Sequence, residues 1–458
     1  MYIGGTKMKF MDKLAAGLEK FLMPIAEKLG RQKQLCALRD GFIATLPVAM
    51  AGAMGSLFLN ALVRDTSVFG EKLNKIDAYA QNIQPFLTKY IVPILGNMWW
   101  GTIALTSLFI VLAIAYSLGR AYDIDPFATA LVSLGAFLTL VPDSTNVSVT
   151  PEGATEAITG GMWGVMNYSS FNSTAMFTAM IVALLGGQLF IYLTKKGIVI
   201  KMPEQVPPAV SKAFAAVIPA IVVIGLAGLV HSLSLAFTGM DFKVFIEKTI
   251  QEPLMALGQS PITYIILILL SQLLWFFGLH GLNMVEPALN TLYSPALNAN
   301  IEAVTAGGEA VNTLTRNFVD VYAMPGGSGG TLALLIAIFI FSKRQESREL
   351  AKLAIAPGCF NINEPVIFGL PLVLNPIYFI PFIIAPPIYI IIAYMATEAG
   401  LVSRISASLP WVTPPVFHAV LATNGDIKAG ILSAALLLLS VLIWTPFVIA
   451  ANRVGNEE

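Results

Sequence analysis

The 458-residue sequence has few charged residues, since 12% are Asp, Glu, Lys or Arg and 56% are hydrophobic. A typical soluble domain carries about 25% charged residues, so about half of the usual solvated surface is missing. One soluble core could not bury the apolar surface that remains. The composition argues against a large soluble enzyme and predicts an integral membrane protein that crosses a lipid bilayer many times and moves a solute.

Other absences narrow the functional class. Lys and Arg together number 27, as do Asp and Glu, so no basic excess points to nucleic acid as a partner. The two cysteines, Cys36 and Cys359, lie in apolar surroundings, form no disulfide framework or metal-like cluster and are interpreted as small buried hydrophobes. No cofactor or metal is predicted.

Two sequence signals are also missing. The chain has no GxxxxGK[ST] motif, so it does not bind ATP through a P-loop, and its energy must come from an ion gradient or a partner. Residues 1–14 contain no apolar run that leads to a small-residue cleavage site. We therefore expect the first spanning segment to direct membrane insertion.

Long apolar runs supply the spanning segments. A transmembrane helix needs about 20 mainly apolar residues to cross a hydrocarbon core of about 30 Å. The clearest runs lie near residues 40–62, 91–118, 127–142, 174–194, 213–238, 261–280, 329–342, 366–384, 382–399 and 427–451. The sequence predicts an all-α polytopic membrane protein with about ten transmembrane helices, re-entrant hairpins and interfacial amphipathic helices.

The segment at residues 11–31 precedes the first span. It has apolar residues at helical spacing, namely Leu14, Leu18, Phe21, Leu22, Ile25 and Leu29. Lysines and a glutamate lie between them, as in an amphipathic helix at the membrane surface. A helix packed on the protein itself is the alternative.

Charge predicts the sidedness of the chain. Cationic clusters, which favour the cytoplasm, comprise Arg31, Lys33, Arg39, Lys195, Lys196, Lys201, Lys343, Arg344, Arg348 and Lys352. The segment from Val141 to Thr174 has no Lys or Arg and is predicted to be external. Between residues 261 and 343 the number of predicted spans does not agree with the predicted sides, since one span too many or too few separates them. A re-entrant segment, which enters and leaves on the same side, would remove this disagreement.

Two segments are candidates for re-entrant backbone: residues 321–332, VYAMPGGSGGTL, and residues 356–371, APGCFNINEPVIFGLP. Non-helical backbone within a membrane must be buried in protein or line a wet cavity, and broken helices mark transporter sites. Ordinary loops outside the membrane are the alternative. The charged segment at residues 240–253 is the predicted boundary between an N-terminal half, 1–240, and a C-terminal half, 241–458.

The motif FNINEPVIFGLP contains the first candidate site. Pro365 disfavours the α conformation at Glu364, so Glu364 is expected at a break, and Pro365 can open the next helix. Asn361, Asn363 and Glu364 would then offer amides and a carboxylate to hydroxyl groups. Capping of the helix by Asn363 and Glu364 is the alternative, but an intramembrane carboxylate is expensive to keep.

The segment QLLWFFGLHGLNMVEP, residues 272–287, is the second candidate. Trp275 and His280 lie about 140° apart on a regular helix, so they share a pocket only if Gly278 or Gly281 bends the chain. Trp can stack on a sugar ring, and His can bond a hydroxyl. Asn283 follows in the same segment. Taken alone, His280 could equally be a packing residue.

Two further polar patches are less specific. Arg316 and Asp320 are four residues apart and can pair on one helical face, which favours a structural role. Trp411 lies among Pro410, Pro414 and Pro415 and is therefore expected on an irregular segment. It is either a second stacking residue or an anchor at the membrane interface.

These motifs together resemble the membrane-spanning EIIC component of the bacterial phosphotransferase system, in its lactose/cellobiose/diacetylchitobiose branch. The resemblance covers nearly the whole chain. Its motifs are FGLHGLN at 277–283, MPGGSGGT at 324–331, PGCFNINEPVIFGLP at 357–371 and WVTPP at 411–415.

The resemblance implies a sugar permease in the bacterial cytoplasmic membrane, a homodimer through its N-terminal half that holds the sugar in its C-terminal half. The imported sugar would be phosphorylated on its 6-hydroxyl by a phosphocysteine of a soluble EIIB protein. We find no stretch of about 100 residues that could fold as an attached EIIB domain, so we expect EIIB to be a separate chain. Cys359, beside the NINEP motif, is interpreted as structural.

The resemblance also implies residue roles. His280 and Glu364 would flank the reacting hydroxyl, while Asn363 and Trp275 contact the sugar. Trp411, Asn167 and Asn283 complete the predicted sugar site, with Asn167 and Trp411 in less distinctive motifs. Glu364 is the candidate general base, because a carboxylate within hydrogen-bond reach of a hydroxyl can take its proton as phosphoryl arrives.

Two rival functions use similar residues. An ion-coupled secondary sugar transporter would also use broken helices, aromatic stacking and an intramembrane Glu, but would release unmodified sugar. A membrane enzyme acting on a lipid-linked glycan would need a metal or nucleotide motif, which the sequence lacks.

The family resemblance makes cellobiose and diacetylchitobiose the expected sugars, with lactose as a further candidate.

Overall fold

The computed structural model describes residues 32–65, 70–149, 158–203, 205–370, 372–373 and 375–454. The predicted amphipathic helix at 11–31 lies outside these residues. Twelve helices of nine or more residues occur in the described part: α1 Lys33–Phe58, α2 Val92–Trp100, α3 Thr106–Ala121, α4 Pro126–Thr139, α5 Met176–Lys195, α6 Pro208–Thr238, α7 Pro261–Phe276, α8 Gly281–Thr305, α9 Thr331–Phe341, α10 Gln345–Cys359, α11 Phe379–Glu398 and α12 Ile427–Val454.

Shorter helical segments connect these helices. The α-helical ones are Gly70–Leu73, Gln84–Phe86, Phe242–Ile246, Glu252–Gly258, Glu364–Gly369 and Phe417–Ala422. Wider π-helical turns lie at Leu59–Val63, Tyr79–Ile83, Leu87–Ile91, Glu247–Gln251 and Val319–Ala323, and 3₁₀ turns at Ile103–Leu105, Tyr168–Ser170, Ser173–Ala175 and Ser328–Gly330. The prediction of an all-α polytopic protein is confirmed.

Seven helical stretches in the described residues are long and apolar enough to cross a membrane: Lys33–Phe58, Tyr79–Ala121, Ser173–Lys195, Pro208–Thr238, Val319–Phe341, Phe379–Glu398 and Ile427–Asn452. The broken pair Phe242–Gly258 and Pro261–Phe276 would make an eighth. Helix α4 is apolar but has only 14 residues.

The apolar run predicted near 366–384 is not one helix, because helix Glu364–Gly369 ends early and α11 starts only at Phe379. Pro376 has no backbone N–H to donate to a helical hydrogen bond. The Asn375 side chain accepts from the N–H of Ile377 at 3.0 Å.

The segment predicted to be external contains the strands of the described part. Strand β1, Ser144–Val149, pairs with β2, Ile158–Trp163, in an antiparallel hairpin in which Ser144 lies opposite Trp163. The indole of Trp163 also donates to Asp143 at 3.2 Å. The sequence analysis did not foresee this hairpin.

The described residues form two compact units. The first unit comprises Gln32–Ala49 and Trp100–Leu254. In it α3 packs against α4 and α5, and α4 packs against α6. Gly41 on α1 allows a close approach, since a Cβ there would lie 2.9 Å from the Ile114 backbone on α3. Small residues permit such backbone contact between membrane helices.

The second unit comprises Met50–Trp99 and Met255–Glu458. Helix α9 packs against α10 and α12, and α7 packs against α8 and α11. Trp275 on α7 shares a buried hydrophobic core with Val366 and Ile367 of helix Glu364–Gly369. This core holds the end of α7 and the NINEP segment in one structural unit.

Candidate functional site

The turn between α7 and α8 brings two predicted site residues together. Gly278 has a φ of 79°, a left-handed conformation that glycine adopts without strain. A Cβ on Gly281 would lie 1.8 Å from the carbonyl oxygen of Ser271, so only glycine fits there. The chain therefore folds back on α7, and the rings of Trp275 and His280 lie 4.4 Å apart between centroids.

The hydrogen bond at His280 defines its tautomer. His280 caps the N-terminus of α8, where its Nδ1 accepts from the backbone N–H of Asn283 at 3.3 Å. An accepting Nδ1 carries no proton, so the neutral ring holds its proton on Nε2. Nε2 lies 4.0 Å from Oε1 of Glu364, and these side chains are 42% and 45% exposed.

Glu364 occupies the break that its proline predicts. Helix α10 ends at Cys359, and Glu364 is the first residue of the next helix, with Pro365 in its first turn. Asn363, at the N-cap, makes no side-chain capping bond and donates instead to the carbonyl oxygen of Ser328 at 3.3 Å. The capping alternative therefore does not hold for Asn363 in this structure.

A glycine-rich loop at residues 326–330 lies against the NINEP segment. Its four glycines all have positive φ, between 72° and 98°. A Cβ on Gly327 would lie 2.8 Å from the backbone carbonyl oxygen of Asn361, so the two segments touch through their backbones. The loop is fully buried, as irregular backbone in a membrane protein has to be.

Side chains bond the backbone of this loop. Asn361 accepts from the N–H of Gly326 at 2.8 Å, Thr331 donates to the Gly326 carbonyl at 2.6 Å, and Trp444 donates to the Gly329 carbonyl at 3.1 Å. The predicted irregular backbone at 321–332 and 356–371 is thus present, while its depth in a membrane stays a prediction.

The gap between His280 and Glu364 fits a hydroxyl group. An oxygen about 2.8 Å from each atom can accept from the imidazole N–H and donate to the carboxylate. Both side chains are partly exposed, so a solute can reach them. The pair can therefore orient one hydroxyl and accept its proton.

Glu286 on α8 belongs to a buried charge cluster with Arg316 and Asp320. The guanidinium of Arg316 donates to both carboxylate oxygens of Glu286 at 2.9 Å and to Oδ2 of Asp320 at 3.1 Å. All three side chains are 16% exposed or less. Arg316 also donates its backbone N–H to Tyr293. The predicted Arg316–Asp320 pair exists, and Glu286 joins it, which supports a structural role for the cluster.

Comparison with known families gives the class of protein. The model of the family "Phosphotransferase system, EIIC" matches residues 39–386, which is more than half of the chain. The chain belongs to the EIIC family of the phosphotransferase system.

This EIIC has close relatives of known name. The cellobiose-specific EIIC component of Lactococcus lactis is 35% identical, with 98% of this chain and 100% of that protein covered. The oligo-beta-mannoside-specific EIIC component of Bacillus subtilis is 33% identical, with 96% and 94% covered. These matches confirm the predicted branch of the family.

A solved structure supports the same fold. The transporter ChbC, the IIC component of an N,N'-diacetylchitobiose-specific phosphotransferase system, is 34% identical, with a TM-score of 0.85 and coverage of 95% of this chain and 97% of that one. The chain is a multi-pass membrane protein of this fold.

Members of the family work with an EIIB protein and a sugar. The lactose-specific EIICB component of Staphylococcus aureus is 30% identical, and this chain covers 74% of its length. The name of that relative joins EIIC and EIIB in one protein.

The other predicted residues of this EIIC differ in exposure and in local contacts. Trp411 is 51% exposed, and Asn283 is exposed, with its backbone bonded to His280. Asn167 belongs to the first unit, where its side chain caps the turn Tyr168–Ser170. Cys359 is a free, partly buried cysteine.

Sequence reasoning undervalued Asn361. It noted the amide but did not assign it to the site, whereas the structure gives it three bonds to other segments. The available signal was its place after Gly358 in a motif that must turn sharply, since Asn tolerates left-handed backbone better than most residues.

Proposed function

We propose that this EIIC imports a β-linked disaccharide, such as cellobiose or diacetylchitobiose, across the bacterial cytoplasmic membrane, with coupled phosphorylation of the 6-hydroxyl by phosphorylated EIIB. The names of the Lactococcus and ChbC relatives support this substrate class. The 4.0 Å gap between His280 and Glu364 is the observation that carries the chemistry.

In this proposal Glu364 is the general base. The hydroxyl oxygen attacks the phosphorus of the EIIB phosphocysteine, an O–P bond forms, the S–P bond breaks, and the hydroxyl proton passes to Glu364. A positioned base contributes typically 10²–10⁴-fold in rate. EIIB thiolate and sugar 6-phosphate are the products.

His280 orients the same hydroxyl. Its Nε2 proton, fixed by the Asn283 bond, points a donor at the oxygen and leaves a lone pair on that oxygen for attack. Trp275 is 3% exposed, and in this structure its ring supports the imidazole. Its contact with the sugar stays a prediction.

The other assignments extend the sugar site. Trp411 offers a half-exposed ring for stacking on an apolar sugar face. Asn363 and Asn283 lie next to Glu364 and His280 and are assigned to the sugar. The assignment of Asn167 to the sugar stays a prediction from the family resemblance.

We also propose the assembly that the family resemblance implies. The protein would be a homodimer through its N-terminal half, residues 1–240, and would hold the sugar in its C-terminal half, residues 241–458. EIIB would be a separate chain that approaches from the cytoplasm.

The decisive experiment uses oriented membrane vesicles with the cytoplasmic face inside. The lumen is loaded with phosphorylated EIIB, labelled cellobiose or diacetylchitobiose is supplied outside, and the internal product is identified. We expect sugar 6-phosphate only when phosphorylated EIIB is present. Unmodified sugar that follows an imposed proton or sodium gradient would instead establish an ion-coupled transporter.

Variants separate chemistry from binding. Glu364→Gln should bind sugar but form no sugar phosphate, because the amide cannot take the proton. Glu349→Gln is the matched control, since this carboxylate is 56% exposed and pairs with Lys352 on α10. Normal phosphorylation by Glu364→Gln would refute the assigned base.

A further inference from the structure

The side chain of Asn361 joins three segments of the second unit. Its Nδ2 donates to the carbonyl oxygens of Trp411 at 2.6 Å and Thr413 at 2.9 Å. Its Oδ1 accepts from the N–H of Gly326 at 2.8 Å. One amide therefore connects the NINEP segment, the glycine-rich loop and the WVTPP segment.

This amide has no donor left for a sugar. An asparagine side chain has two N–H donors and one carbonyl acceptor, and the contacts above use both donors. The residue is 7% exposed. Asn361 thus lies beside the proposed sugar site without being able to donate to the sugar.

The backbone at Asn361 is fixed as well. Its φ of 62° lies in the left-handed region, which asparagine tolerates better than other residues with a Cβ. A Cβ on Gly327 would lie 2.8 Å from the Asn361 carbonyl oxygen. The glycine-rich loop therefore packs directly on this turn.

Asn361 is linked to two residues of the proposed site, Glu364 through the chain and Trp411 through a hydrogen bond. Glu364 follows it by three residues and starts the next helix. Within the described part of the chain the Trp411 indole makes no hydrogen bond or ring contact, and the backbone carbonyl oxygen of Trp411 accepts from the Asn361 amide.

We propose that Asn361 is a positioning residue that couples the stacking ring of Trp411 to the base Glu364. This inference rests on the proposed function. We call the three hydrogen bonds of the Asn361 side chain, to Gly326, Trp411 and Thr413, the clamp. With the clamp in place, a sugar stacked on Trp411 presents its hydroxyl within reach of Glu364. Without it, the WVTPP segment shifts relative to the NINEP segment, and binding and turnover both fall.

Asn361→Gly is the primary variant, because glycine keeps the left-handed backbone and loses only the amide. Asn424→Gly is its matched control. Asn424 also has positive φ, 54°, and is 8% exposed, but its amide donates to Ser406. The control removes a buried amide from the same kind of backbone outside the clamp.

Sugar affinity is measured by isothermal titration on purified protein, and turnover is measured with phosphorylated EIIB. For Asn361→Gly we expect Kd to rise and kcat to fall, each at least tenfold, while Asn424→Gly stays within twofold. If Asn361→Gly is not recovered folded, Asn361→Asp replaces it, since Asp keeps the acceptor for Gly326 and loses both donors.

A double-mutant cycle on Kd distinguishes positioning from general structure. If Asn361 acts through Trp411, adding Asn361→Gly to Trp411→Ala should raise Kd no further than Trp411→Ala alone. Effects that multiply, or an Asn361→Gly that behaves like Asn424→Gly, would overturn the proposal. The cycle needs only sugar binding, so it remains decisive even if wild type forms no sugar phosphate and the proposed function fails.

Discussion

The α7–α8 turn makes a quantitative prediction at Gly281. A Cβ added there would lie 1.8 Å from the carbonyl oxygen of Ser271, and ordinary contact begins at 3.4 Å. In Gly281→Ala the two backbones must separate by about 1.6 Å. His280 is the adjacent residue, so the position of its ring relative to Trp275 and Glu364 must change.

This displacement should lower the rate of sugar phosphorylation more than it lowers the yield of folded protein. A misplacement of about 1 Å at a reacting group can reduce the rate about 10²-fold. We therefore expect Gly281→Ala to form sugar 6-phosphate about 10²-fold more slowly than wild type. The rate is measured in the vesicle assay with phosphorylated EIIB and normalised to the folded protein recovered by gel filtration.

Gly225→Ala on α6 is the control, because a Cβ on Gly225 meets no atom within 4 Å. It should phosphorylate sugar at the wild-type rate. If folded Gly281→Ala also works within twofold of wild type, the turn does not set the position of His280, and the geometric reasoning is wrong.

Two pairs of substitutions test burial in the second unit. Arg316→Met leaves two buried carboxylates without their cation, a loss of about 3–5 kcal/mol, so the melting temperature in detergent should fall strongly; Lys352→Met removes a pair whose side chains are 61% and 56% exposed and should leave it nearly unchanged. Trp411→Ala, at a 51% exposed ring, should raise the sugar Kd about tenfold with little change in melting temperature. Trp275 is 3% exposed, so Trp275→Ala should also lower the free energy of unfolding by about 3–5 kcal/mol and with it the melting temperature. Equal melting temperatures for the two tryptophan variants would contradict this distinction.

Composition predicted the class of fold because a bilayer imposes one physical requirement on all spanning segments. Apolar length alone identified most of the long helices, including α5, α6 and α12. It could not locate breaks, since hydropathy does not register backbone geometry. Near Asn375 and Pro376 an apolar run therefore looked like one span, although the structure divides it.

The β1–β2 hairpin was missed for a different reason. Its strands are STNVSV and ITGGMW, which are short and expose side chains on both faces. A two-stranded hairpin buries too little apolar surface to impose a clear alternating pattern. Only the lack of Lys and Arg marked the segment as distinct.

Among the candidate site residues, those with a chemical signature were the easiest to identify in the sequence. His280 and Trp275 are rare residue types in an apolar span, and the glycines between and beside them pointed to a turn. Asn361 was harder, since its three partners are backbone atoms 35, 50 and 52 residues away. Backbone partners leave no trace in the sequence.

The same physics explains why glycine and amide side chains occur together in this part of the chain. Positive φ at Gly326 and Gly329 turns the backbone away from helical hydrogen bonding, and in this buried loop the freed groups need partners from the protein. The side chains of Asn361 and Trp444 supply the missing partners from other segments. A buried irregular loop needs polar side chains from distant segments to bond its backbone, so the shape of the proposed site depends on residues outside the His280–Glu364 pair.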